Sequence, residues 1–432
     1  MLRHSKREPE LKAVILAAGE GVRLQPLTDG RPKHLIPIAC KPILEHLIDN
    51  LAACNISDVL LVVGQWKDVI RQHFGDGKNR GLMISYAVQP AVLGTAHAIG
   101  MAQDFVDEEP FLVLYGDIYV AHNAILRVRE SFNKDHCTAA MAVVPVSTPQ
   151  FFGVVTIENG YVKSVVEKPQ PGESVSNLAN AGIFVFSSEI FGAIGKTIKS
   201  RRDEFEITQS LRILVDSGSK VRVTELEGGT WKDIGRPWDL LEANELALRN
   251  IKPNIEGRIE EGARLIGPVV AQNEAVVRSG ACVEGPVLIS RGAEIGPNCH
   301  IRPFTSIGRN VKIGNGCEVK NSIVMNDTKI PHLSYVGDSV LGERCNLGAG
   351  TIIANVRLDG KPVKMILSGN LVDSGRRKLG AVLGDEVQTG VNASIMPGVK
   401  VGSGSLIGPG VTLDHDVPPG SRVILKHRFE EM

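Results

Sequence analysis

The chain has 432 residues, and its 48 basic and 48 acidic side chains give a formal net charge of zero. This balance argues against a general nucleic-acid-binding or anionic-membrane-binding protein, because both usually carry a basic surplus. No apolar stretch reaches the about 18–20 residues that cross a bilayer, and the charged N-terminus lacks the apolar core of a signal peptide. The length predicts two domains or more.

The first half of the chain alternates strand-like and helix-like segments. The strand-like segments are KAVILAA, DVLLVVG, ISYAVQ and FLVLYGD, and the helix-like ones are PILEHLIDNLAACNI, WKDVIRQHFG and GTAHAIGMAQDF. Such alternation is typical of a parallel sheet covered by helices on both faces. We therefore predict a doubly wound, Rossmann-like α/β domain.

After about Asn250 the helical patterns stop, and an apolar residue recurs at every sixth position. The residues in this period are Leu265, Ala271, Val277, Val283, Ile289, Ile295, Ile301, Ile307, Ile313 and Val319. The phase slips near Met325 and resumes from Leu347 and again from Leu383. A sustained hexad predicts stacked coils of short strands that bury one aliphatic column. The pattern resembles the left-handed parallel β-helix of acyltransferases, which implies a homotrimer.

Seven cysteines are scattered along the chain without CxxC spacing. This distribution favours free thiols in a reducing cytoplasm over disulfides or a zinc site.

A glycine-rich, cationic loop, AGEGVRLQPLTDGRPK, follows the first predicted strand. Gly19 and Gly21 allow backbone N–H groups to approach phosphate oxygens closely. Arg23 can fork onto two phosphate oxygens, and Lys33 supplies a point charge. The spacing matches neither G-x-x-x-x-G-K-[ST] nor G-x-G-x-x-G, so the loop predicts a phosphate site without naming its class.

Two aspartates lie in positions suited to a metal. Asp117 follows the apolar run FLVLYG, and Asp233 lies in a glycine-bounded turn before a helical pattern. Ligands collect at the carboxyl ends of strands in open α/β sheets, and Mg²⁺ prefers carboxylates together with substrate phosphates. A helix cap or a turn is the alternative role for each aspartate.

Several strings together resemble the sugar-1-phosphate nucleotidyltransferases. They are LAAGEGVRLQPLT…RPK, VQPAVLGTAHAI, YGD, FGVV, VVEKP, NAGIFVF and WKDIG, in the family's order over about the first 245 residues. Val22 departs from the family pattern, which has Thr or Ser there, and this weakens one expected phosphate contact. The resemblance implies transfer of a nucleotidyl group from UTP or dTTP to a sugar 1-phosphate, with release of pyrophosphate.

The same resemblance implies roles for individual residues. Arg23 and Lys33 hold phosphates, and Asp117 and Asp233 bind Mg²⁺. The implied nucleotide-binding residues are Ala17, Ala18, Gly19, Gly21, Gln89, Gly94 and Thr95. The implied sugar-phosphate residues are Tyr115, Gly153, Glu167, Lys168 and Asn180.

A second candidate site lies where the hexads slip, in IPHLSYVGDSVLGERCNLGAGTIIANV. A lone histidine such as His332 is more often structural than catalytic. This segment, however, resembles the acetyltransferase domain of the bifunctional N-acetylglucosamine-1-phosphate uridylyltransferase/glucosamine-1-phosphate acetyltransferase. The resemblance implies acetyl-CoA as co-substrate, His332 as general base and Glu318 as the carboxylate that orients it. The remaining implied residues are Arg302, Lys320, Tyr335, Asn346, Ala349, Asn355 and Lys361.

A basic insertion, MILSGNLVDSGRRKLGAV, follows Lys361 and resembles the archaeal-type members of the bifunctional group. It either binds phosphates of coenzyme A or of the sugar, or it contacts and supports a neighbouring subunit. It leaves glucosamine and galactosamine 1-phosphate open as acceptors.

The sequence therefore predicts an N-terminal tail (1–10), a nucleotidyltransferase domain (11–248), a linker (249–258) and a β-helix acetyltransferase domain (259–432). The leading hypothesis is a cytoplasmic bifunctional enzyme of UDP-N-acetylhexosamine synthesis. A single-function glucose-1-phosphate thymidylyl- or uridylyltransferase with a structural β-helix is the first alternative. A mannose-1-phosphate guanylyltransferase has the same fold. A non-catalytic assembly subunit, like the regulatory subunits of the translation-initiation exchange factor, would have lost the charged site, whereas this chain keeps it.

Overall fold

The computed structural model describes residues 11–135, 137–170 and 176–426. The predicted N-terminal tail, 1–10, lies outside the described residues. The chain divides into two compact units, the first formed by Met1–Glu20 and Ile43–Asp233 and the second by Gly21–Pro42 and Ile234–Met432. The α-helices are α1 (Ile43–Ala53), α2 (Lys67–Phe74), α3 (Thr95–Gly100), α4 (Gln103–Val106), α5 (His122–Asp135), α6 (Glu189–Ile194), α7 (Ile207–Asp216) and α8 (Pro237–Arg249).

The strands of the first half of the chain build the sheet of the first unit and two short ribbons, β2–β3 and β7–β13. They are β1 (Lys12–Ala17), β2 (Pro37–Ile38), β3 (Lys41–Pro42), β4 (Asp58–Val63), β5 (Met83–Val88), β6 (Phe111–Tyr115), β7 (Ile118–Val120), β8 (Ala139–Pro145), β9 (Gly153–Glu158), β10 (Tyr161–Glu167), β11 (Leu178–Phe186), β12 (Val221–Glu225) and β13 (Trp231–Asp233).

The sheet of the first unit runs in the order β5-β4-β1-β6-β11-β8-β12-β10-β9. Its β5-β4-β1-β6 portion is parallel, as the sequence predicts. Strand β11 is antiparallel to both β6 and β8, so the sheet is mixed where the alternation of elements predicts parallel pairing throughout. Val14 and Ile15 on β1 are fully buried, as expected for a strand covered on both faces.

The predicted helix GTAHAIGMAQDF is two short helices, α3 and α4, separated at Met101 and Ala102. The described part of the chain contains no helix with both the length and the apolar content needed to cross a membrane.

The second unit is built mainly of three parallel sheets whose strands follow one another in turn, as in a left-handed β-helix. Its strands are β14 (Asn254–Ile255), β15 (Arg258–Ile259), β16 (Arg264–Ile266), β17 (Val269–Ala271), β18 (Val276–Val277), β19 (Cys282–Glu284), β20 (Val287–Ile289), β21 (Glu294–Ile295), β22 (His300–Ile301), β23 (Thr305–Ile307), β24 (Lys312–Asn315), β25 (Glu318–Lys320), β26 (Ile323–Val324), β27 (Lys329–His332), β28 (Tyr335–Gly337), β29 (Val340–Leu341), β30 (Asn346–Leu347), β31 (Ile352–Ile353), β32 (Lys364–Leu367), β33 (Asn370–Asp373), β34 (Val382–Leu383), β35 (Gln388–Thr389), β36 (Ser394–Ile395), β37 (Lys400–Val401), β38 (Leu406–Ile407), β39 (Thr412–Leu413) and β40 (Arg422–Val423).

The hexad residues form the buried core of this β-helix. Ile289 lies opposite Ile307, eighteen residues later, whereas Ile307 lies opposite Val324, seventeen residues later. Val324 in turn lies opposite Leu341, again seventeen residues later. The phase slip that starts near Met325 therefore comprises two successive coils, each shortened by one residue, and the aliphatic column continues through both.

The insertion after Lys361 leaves the coils as an antiparallel hairpin of β32 and β33. Arg376 at its base pairs with Glu242 and Glu245 on α8, at 3.2 and 3.5 Å. This part of the basic insertion is thus braced within its own chain.

The segment Gly21–Pro42, which contains most of the glycine-rich loop, packs within the second unit. The N–H of Ala39 donates to the Asn244 side chain at 2.7 Å, and the Asn244 amide donates to the Phe304 carbonyl at 2.8 Å. Burial raises the pKa of the nearby Cys40 thiol to about 11, so this thiol stays protonated. Together these contacts fix the loop at its C-terminal end.

Candidate active sites

The glycine-rich loop turns sharply at Gly21, which has a φ of +75°. A Cβ at this position would lie 2.8 Å from the Cβ of Lys33, so only glycine fits. The Thr28 hydroxyl donates to the Gly21 carbonyl at 3.1 Å and closes the turn. Lys33 is therefore packed against the turn that carries the exposed Arg23.

The other predicted nucleotide-binding residues lie in the first unit, at the ends of β1 and β5 and at the start of α3. Ala17 ends β1, and the Ala18 carbonyl passes so close to Gly64 that a Cβ there would lie at 2.7 Å. Gln89, which is 5% exposed, donates to the Gly94 carbonyl at 3.2 Å. Thr95 begins α3, and its hydroxyl accepts the N–H of Ile207 at 3.0 Å.

The two predicted metal ligands lie next to each other across the β7–β13 ribbon. Asp233 is opposite Ile118, the residue that follows Asp117. Both aspartates are half-buried. The register therefore brings together two carboxylates that are far apart in sequence. Oxygen donors of this kind suit a hard cation such as Mg²⁺.

The predicted sugar-phosphate residues are joined by direct contacts. Glu167 lies opposite Gly153, and a Cβ on that glycine would lie 3.0 Å from the Glu167 carboxylate. The Asn180 amide donates to the Tyr115 hydroxyl at 3.4 Å, and burial raises the pKa of Tyr115 well above its usual value. The Lys168 ammonium is 3.8 Å from Glu167. All five residues belong to the first unit.

The structure adds three residues to this group that the motifs did not indicate. The Thr208 hydroxyl donates to Glu167 at 3.0 Å, and the Arg202 guanidinium lies 3.8 Å from the same carboxylate. Glu206 is buried and pairs with Arg202 at 3.1 Å. Burial, followed by the charge of Glu167, raises the pKa of Glu206 to about 7. All three lie on one short segment, and their roles depend on a fold that brings it beside β10.

In the β-helix, two of the predicted acetyltransferase residues, Lys320 and Asn355, bind a buried carboxylate that the motifs did not indicate. Asp338, 2% exposed, accepts from the Lys320 ammonium at 3.1 Å. It also accepts from the amides of Asn321, at 2.9 Å, and Asn355. The only sequence signal for Asp338 is its place in the string SYVGDS, next to Gly337, where a Cβ would strike the Asn355 amide.

Tyr335 and Glu318 lie on neighbouring coils beside this cluster, directly opposite each other. The Arg302 guanidinium donates to Glu318 at 2.8 Å. Burial, together with the charges of Asp338 and Glu318, raises the pKa of Tyr335, and Asn355 hydrogen-bonds to its hydroxyl. The structure therefore assembles Arg302, Glu318, Lys320, Tyr335 and Asn355 into one polar surface.

His332 is exposed and ends β27, three residues before Tyr335. Within the described residues no hydrogen bond or ion pair joins His332 to Glu318, which instead pairs with Arg302. The orienting role of Glu318 stays a prediction. Asn346 is exposed on β30, Lys361 is exposed in the insertion, and the Ala349 carbonyl accepts from Asn392 at 2.8 Å. No described contact joins these three residues to the cluster.

Comparison with known proteins bears on both sites. The family model described as nucleotidyl transferase matches residues 12–250. The model described as GMPPB C-terminal domain matches 283–395, and the one described as bacterial transferase hexapeptide matches 380–415. A protein of Methanococcus maripaludis named bifunctional protein GlmU is 47% identical over 96% of this chain and 98% of its own length. The chain belongs to the archaeal bifunctional sugar-1-phosphate nucleotidylyltransferase/acetyltransferase family.

Two further matches cover the chain to different extents. The Sulfurisphaera tokodaii protein named bifunctional sugar-1-phosphate nucleotidylyltransferase/acetyltransferase is 40% identical over 95% of this chain and 99% of its own. A crystal structure assigned as a glucose-1-phosphate thymidylyltransferase of Bacillus anthracis matches with a TM-score of 0.51 and 32% identity, over 57% of this chain and 98% of its own. As a member of this bifunctional family, the chain is an enzyme with a nucleotidyl transferase domain and a hexapeptide acyltransferase-type domain.

Proposed function

We propose that the enzyme acetylates glucosamine 1-phosphate with acetyl-CoA, and that it joins the resulting N-acetylglucosamine 1-phosphate to a uridylyl group from UTP. Galactosamine 1-phosphate, glucose 1-phosphate and dTTP are the alternative substrates of the same two steps. The two domains of the family and the two clusters of polar residues support this proposal. Residues 11–248 carry the first site, 249–258 connect the domains, and 259–432 carry the second.

For nucleotidyl transfer, Arg23 and Lys33 hold the phosphates of the nucleotide and the sugar. Asp117 and Asp233 supply carboxylate oxygens for Mg²⁺, and their neighbouring positions in the β7–β13 ribbon fit this use. When bound, Mg²⁺ neutralises charge on the phosphates. Gln89, Gly94 and Thr95 read the base, and Glu167, Lys168 and Asn180 position the sugar phosphate.

The reaction needs no covalent intermediate. A phosphate oxygen of the sugar 1-phosphate attacks the α-phosphorus of the nucleoside triphosphate and forms the new P–O bond. The bond between the α-phosphorus and the bridging oxygen breaks, and pyrophosphate leaves. The chain therefore contributes mainly by positioning two anions that repel each other and by stabilising the developing charge.

For acetyl transfer, the single observation that carries the proposal is the polar surface around Asp338. A merely structural β-helix has no need for Lys320, Tyr335 and Asn355 to converge around one buried carboxylate outside its aliphatic core. His332 lies three residues from Tyr335 and accepts the proton of the sugar amine as that amine attacks the thioester carbonyl. The carbon–sulfur bond breaks, and coenzyme A leaves as a thiol.

The test follows thiol release from acetyl-CoA with glucosamine 1-phosphate, and separately pyrophosphate release from UTP with N-acetylglucosamine 1-phosphate. The variants are His332→Ala and, as a matched control, His415→Ala, an exposed histidine of the same unit that pairs with Asp414. We expect His332→Ala to lose thiol release while keeping pyrophosphate release, and His415→Ala to keep both.

Two results would contradict the acetyltransferase proposal. One is the absence of thiol release by the wild type with either amino sugar, which would leave the single-function alternative. The other is normal release by His332→Ala. Failure of pyrophosphate release with every tested nucleotide would contradict the nucleotidyltransferase half.

We further propose a homotrimer assembled through the β-helix and a cytoplasmic location, where UTP and acetyl-CoA are available. The β-helix leaves large apolar side chains exposed, among them Leu333 at 62%, Leu358 at 109% and Val391 at 50%. These side chains offer apolar contact area for the trimer that the hexads imply by their resemblance to the β-helices of acyltransferases. Light scattering on the purified protein checks the trimer, and a monomer at micromolar concentration would contradict it.

A further inference from the structure

A group of three side chains on the β-helix combines a thiol, an imidazole and a carboxylate. Their candidate ligand atoms, on Cys282, Glu284 and His300, all lie within 4.8 Å of one another. None of the three was indicated by a sequence motif, and the lack of CxxC spacing had favoured free thiols. Cys282 is indeed a free thiol in the structure.

The strand register explains why these residues meet. Cys282 lies directly opposite His300 on the next coil, and Glu284 is two positions after Cys282 on the same strand. Residues two positions apart on a strand point to the same face, and strands of adjacent coils are about 4.8 Å apart. The three side chains therefore share one outer face of the β-helix, and none lies in its aliphatic core.

The imidazole of His300 has a buried nitrogen without a hydrogen bond to any described residue. Its Nε2 atom is shielded from solvent and has no hydrogen-bond partner. The Glu284 carboxylate is 3.2 Å away, yet it does not lie where the Nε2–H group would point. A simple ion pair would align the N–H with the oxygen. An imidazole nitrogen and a carboxylate oxygen 3.2 Å apart, without that alignment, are instead spaced as two ligands of one cation.

We propose that Cys282, Glu284 and His300 bind a transition-metal ion of the Zn²⁺ class, with water as the fourth ligand. Ligand atoms about 2.0–2.3 Å from a tetrahedral Zn²⁺ lie about 3.3–3.6 Å from one another. Nε2 and the carboxylate, 3.2 Å apart, lie within about 0.1 Å of this range, and the thiol reaches it through a movement of about 1 Å. Binding releases the thiol proton to solvent, because the thiolate is the ligand.

The donor set distinguishes this site from the one proposed at Asp117 and Asp233. Mg²⁺ takes oxygen ligands, whereas a thiolate and an imidazole select Zn²⁺, Co²⁺ and related ions. The two sites are also far apart in the chain and belong to different units. A cation bound through sulfur therefore reports on Cys282 without interference from the magnesium site.

The nearest part of the proposed acetyltransferase surface lies on the following strands of the same parallel sheet. His300 lies opposite Glu318, and Glu318 lies opposite Tyr335. The raised pKa of Arg302 comes mainly from its hydrogen bond to Glu318, and the negative charge of Glu284 makes a smaller contribution. A metal here occupies the coil adjacent to the polar surface but uses none of its residues.

The experiment titrates Co²⁺ into the full chain after treatment with a chelator, and follows the thiolate-to-cobalt charge-transfer absorption. We expect this band to saturate at about one Co²⁺ per chain, to vanish on addition of Zn²⁺ and to resist excess Mg²⁺. Cys282→Ser should abolish the band, and His300→Ala should weaken Co²⁺ binding by at least about tenfold. His415→Ala, the histidine control, should bind as the wild type does.

Other results would overturn the proposal. They are the absence of a thiolate band in the wild type, a band that persists in Cys282→Ser, or unchanged affinity in His300→Ala. Circular dichroism and nucleotidyl transfer verify that each variant is folded, because neither depends on the three ligands. A variant that fails this check is replaced by Glu284→Gln, which should weaken Co²⁺ binding while the thiolate band remains.

Discussion

Arg31 lies in the glycine-rich loop between Arg23 and Lys33, and it anchors that loop on carboxylates of the β-helix. Its guanidinium donates to Asp385 and lies 3.4 Å from Glu343. The three side chains are only 13%, 18% and 23% exposed, and all belong to the second unit. The N–H of Glu343 donates to Asp385 at 2.8 Å. This hydrogen bond holds the Asp385 carboxylate in place independently of Arg31. We predict that this ion pair holds the glycine-rich loop in the conformation that the proposed phosphate binding needs.

The burial of the pair sets the expected magnitude. Removing one partner of a fully buried ion pair costs about 3–5 kcal/mol, whereas exposed pairs contribute about 0.2–1 kcal/mol. Arg31→Met leaves Asp385 and Glu343 facing each other with only the half-exposed Arg344 nearby, which pairs with Glu343 at 3.2 Å. We expect a loss of about 2–3 kcal/mol. Asp385→Asn keeps a hydrogen-bond acceptor and leaves Glu343 for Arg31, so its cost should be about 1–2 kcal/mol.

The assay combines urea unfolding with the two activity measurements. We expect both variants to lower kcat/KM for pyrophosphate release by roughly tenfold, equivalent to about 1.4 kcal/mol, because the loop is held less firmly. Thiol release from acetyl-CoA should be unchanged. The matched control is Glu274→Gln, which removes an Arg291 pair that is more than half exposed on the same β-helix. It should change neither stability nor activity.

The reasoning would be refuted if Arg31→Met were no less stable than Glu274→Gln. It would also be refuted if both activities fell together, because that outcome indicates general destabilisation and not a displaced loop. A double-mutant cycle of Arg31→Met and Asp385→Asn should give a coupling of at least about 1 kcal/mol.

Three further predictions concern other residues of the two sites. Glu206→Gln should raise the free energy of unfolding by about 2–3 kcal/mol at pH 8 and leave it unchanged below pH 4.5, as measured by urea unfolding at both pH values. Gly94→Ala should lower stability and nucleotidyl transfer, because φ is +97° and the new Cβ would lie 2.5 Å from the Phe205 carbonyl oxygen; thermal unfolding and pyrophosphate release measure this. Asp338→Asn should cost about 2–4 kcal/mol and reduce acetyl transfer selectively, because Lys320 loses its buried partner; urea unfolding and the two activity assays measure this.

The pH dependence of the Glu206 prediction follows from the direction of its pKa. The folded-state pKa is raised from 4.5 to about 7, mainly by burial and then by the charge of Glu167. Below pH 4.5 both folded and unfolded chains hold the proton, so the group does not affect stability. As the pH rises from 4.5 to 7, only the unfolded chain ionises freely, and the folded state loses stability until the penalty is complete above pH 7. Equal stabilisation by Glu206→Gln at pH 4 and pH 8 would contradict this account.

Each of the other two predictions has a control at a similar position. Gly30→Ala is the control for Gly94→Ala, since Gly30 is also a loop glycine but has open space where a Cβ would lie. Normal stability of Gly94→Ala would show that the α3 turn relaxes around the methyl group. Asp373→Asn is the control for Asp338→Asn, because Asp373 is exposed on β33. Equal loss of both activities in Asp338→Asn would show a structural role only.

Periodicity alone predicted the stacked coils and the parallel part of the sheet correctly, but not the antiparallel strand β11. The hexads from Val277 to Val319 form the core of the β-helix, and the KAVILAA and FLVLYGD runs are adjacent parallel strands, β1 and β6. Residue spacing was sufficient because a strand or a coil repeats at an interval fixed by backbone geometry. The direction of β11 was not predicted, since an apolar run reads the same in either orientation.

The sequence indicated only some of the residues of the candidate sites. Motifs singled out Glu167, Lys320 and Asn355, whose contacts the structure now gives. They did not single out Glu206 or Asp338, because an isolated acidic residue becomes informative only when burial and its partners are known. The same holds for Cys282, which lies eighteen residues from the histidine that it faces.

By itself, the sequence determined which segments are strands, which are helices and where the repeating coils begin, because these depend on local spacing and turn residues. Only the tertiary structure decided which side chains meet across coils and strands. Arg31 and Asp385 are 354 positions apart, and their pairing requires both the fold of the loop and the number of coils that precede Asp385. Such contacts depend on coil length and register, and a change of one residue, as in the shortened coil after Ile307, changes which sequence positions face each other across that coil.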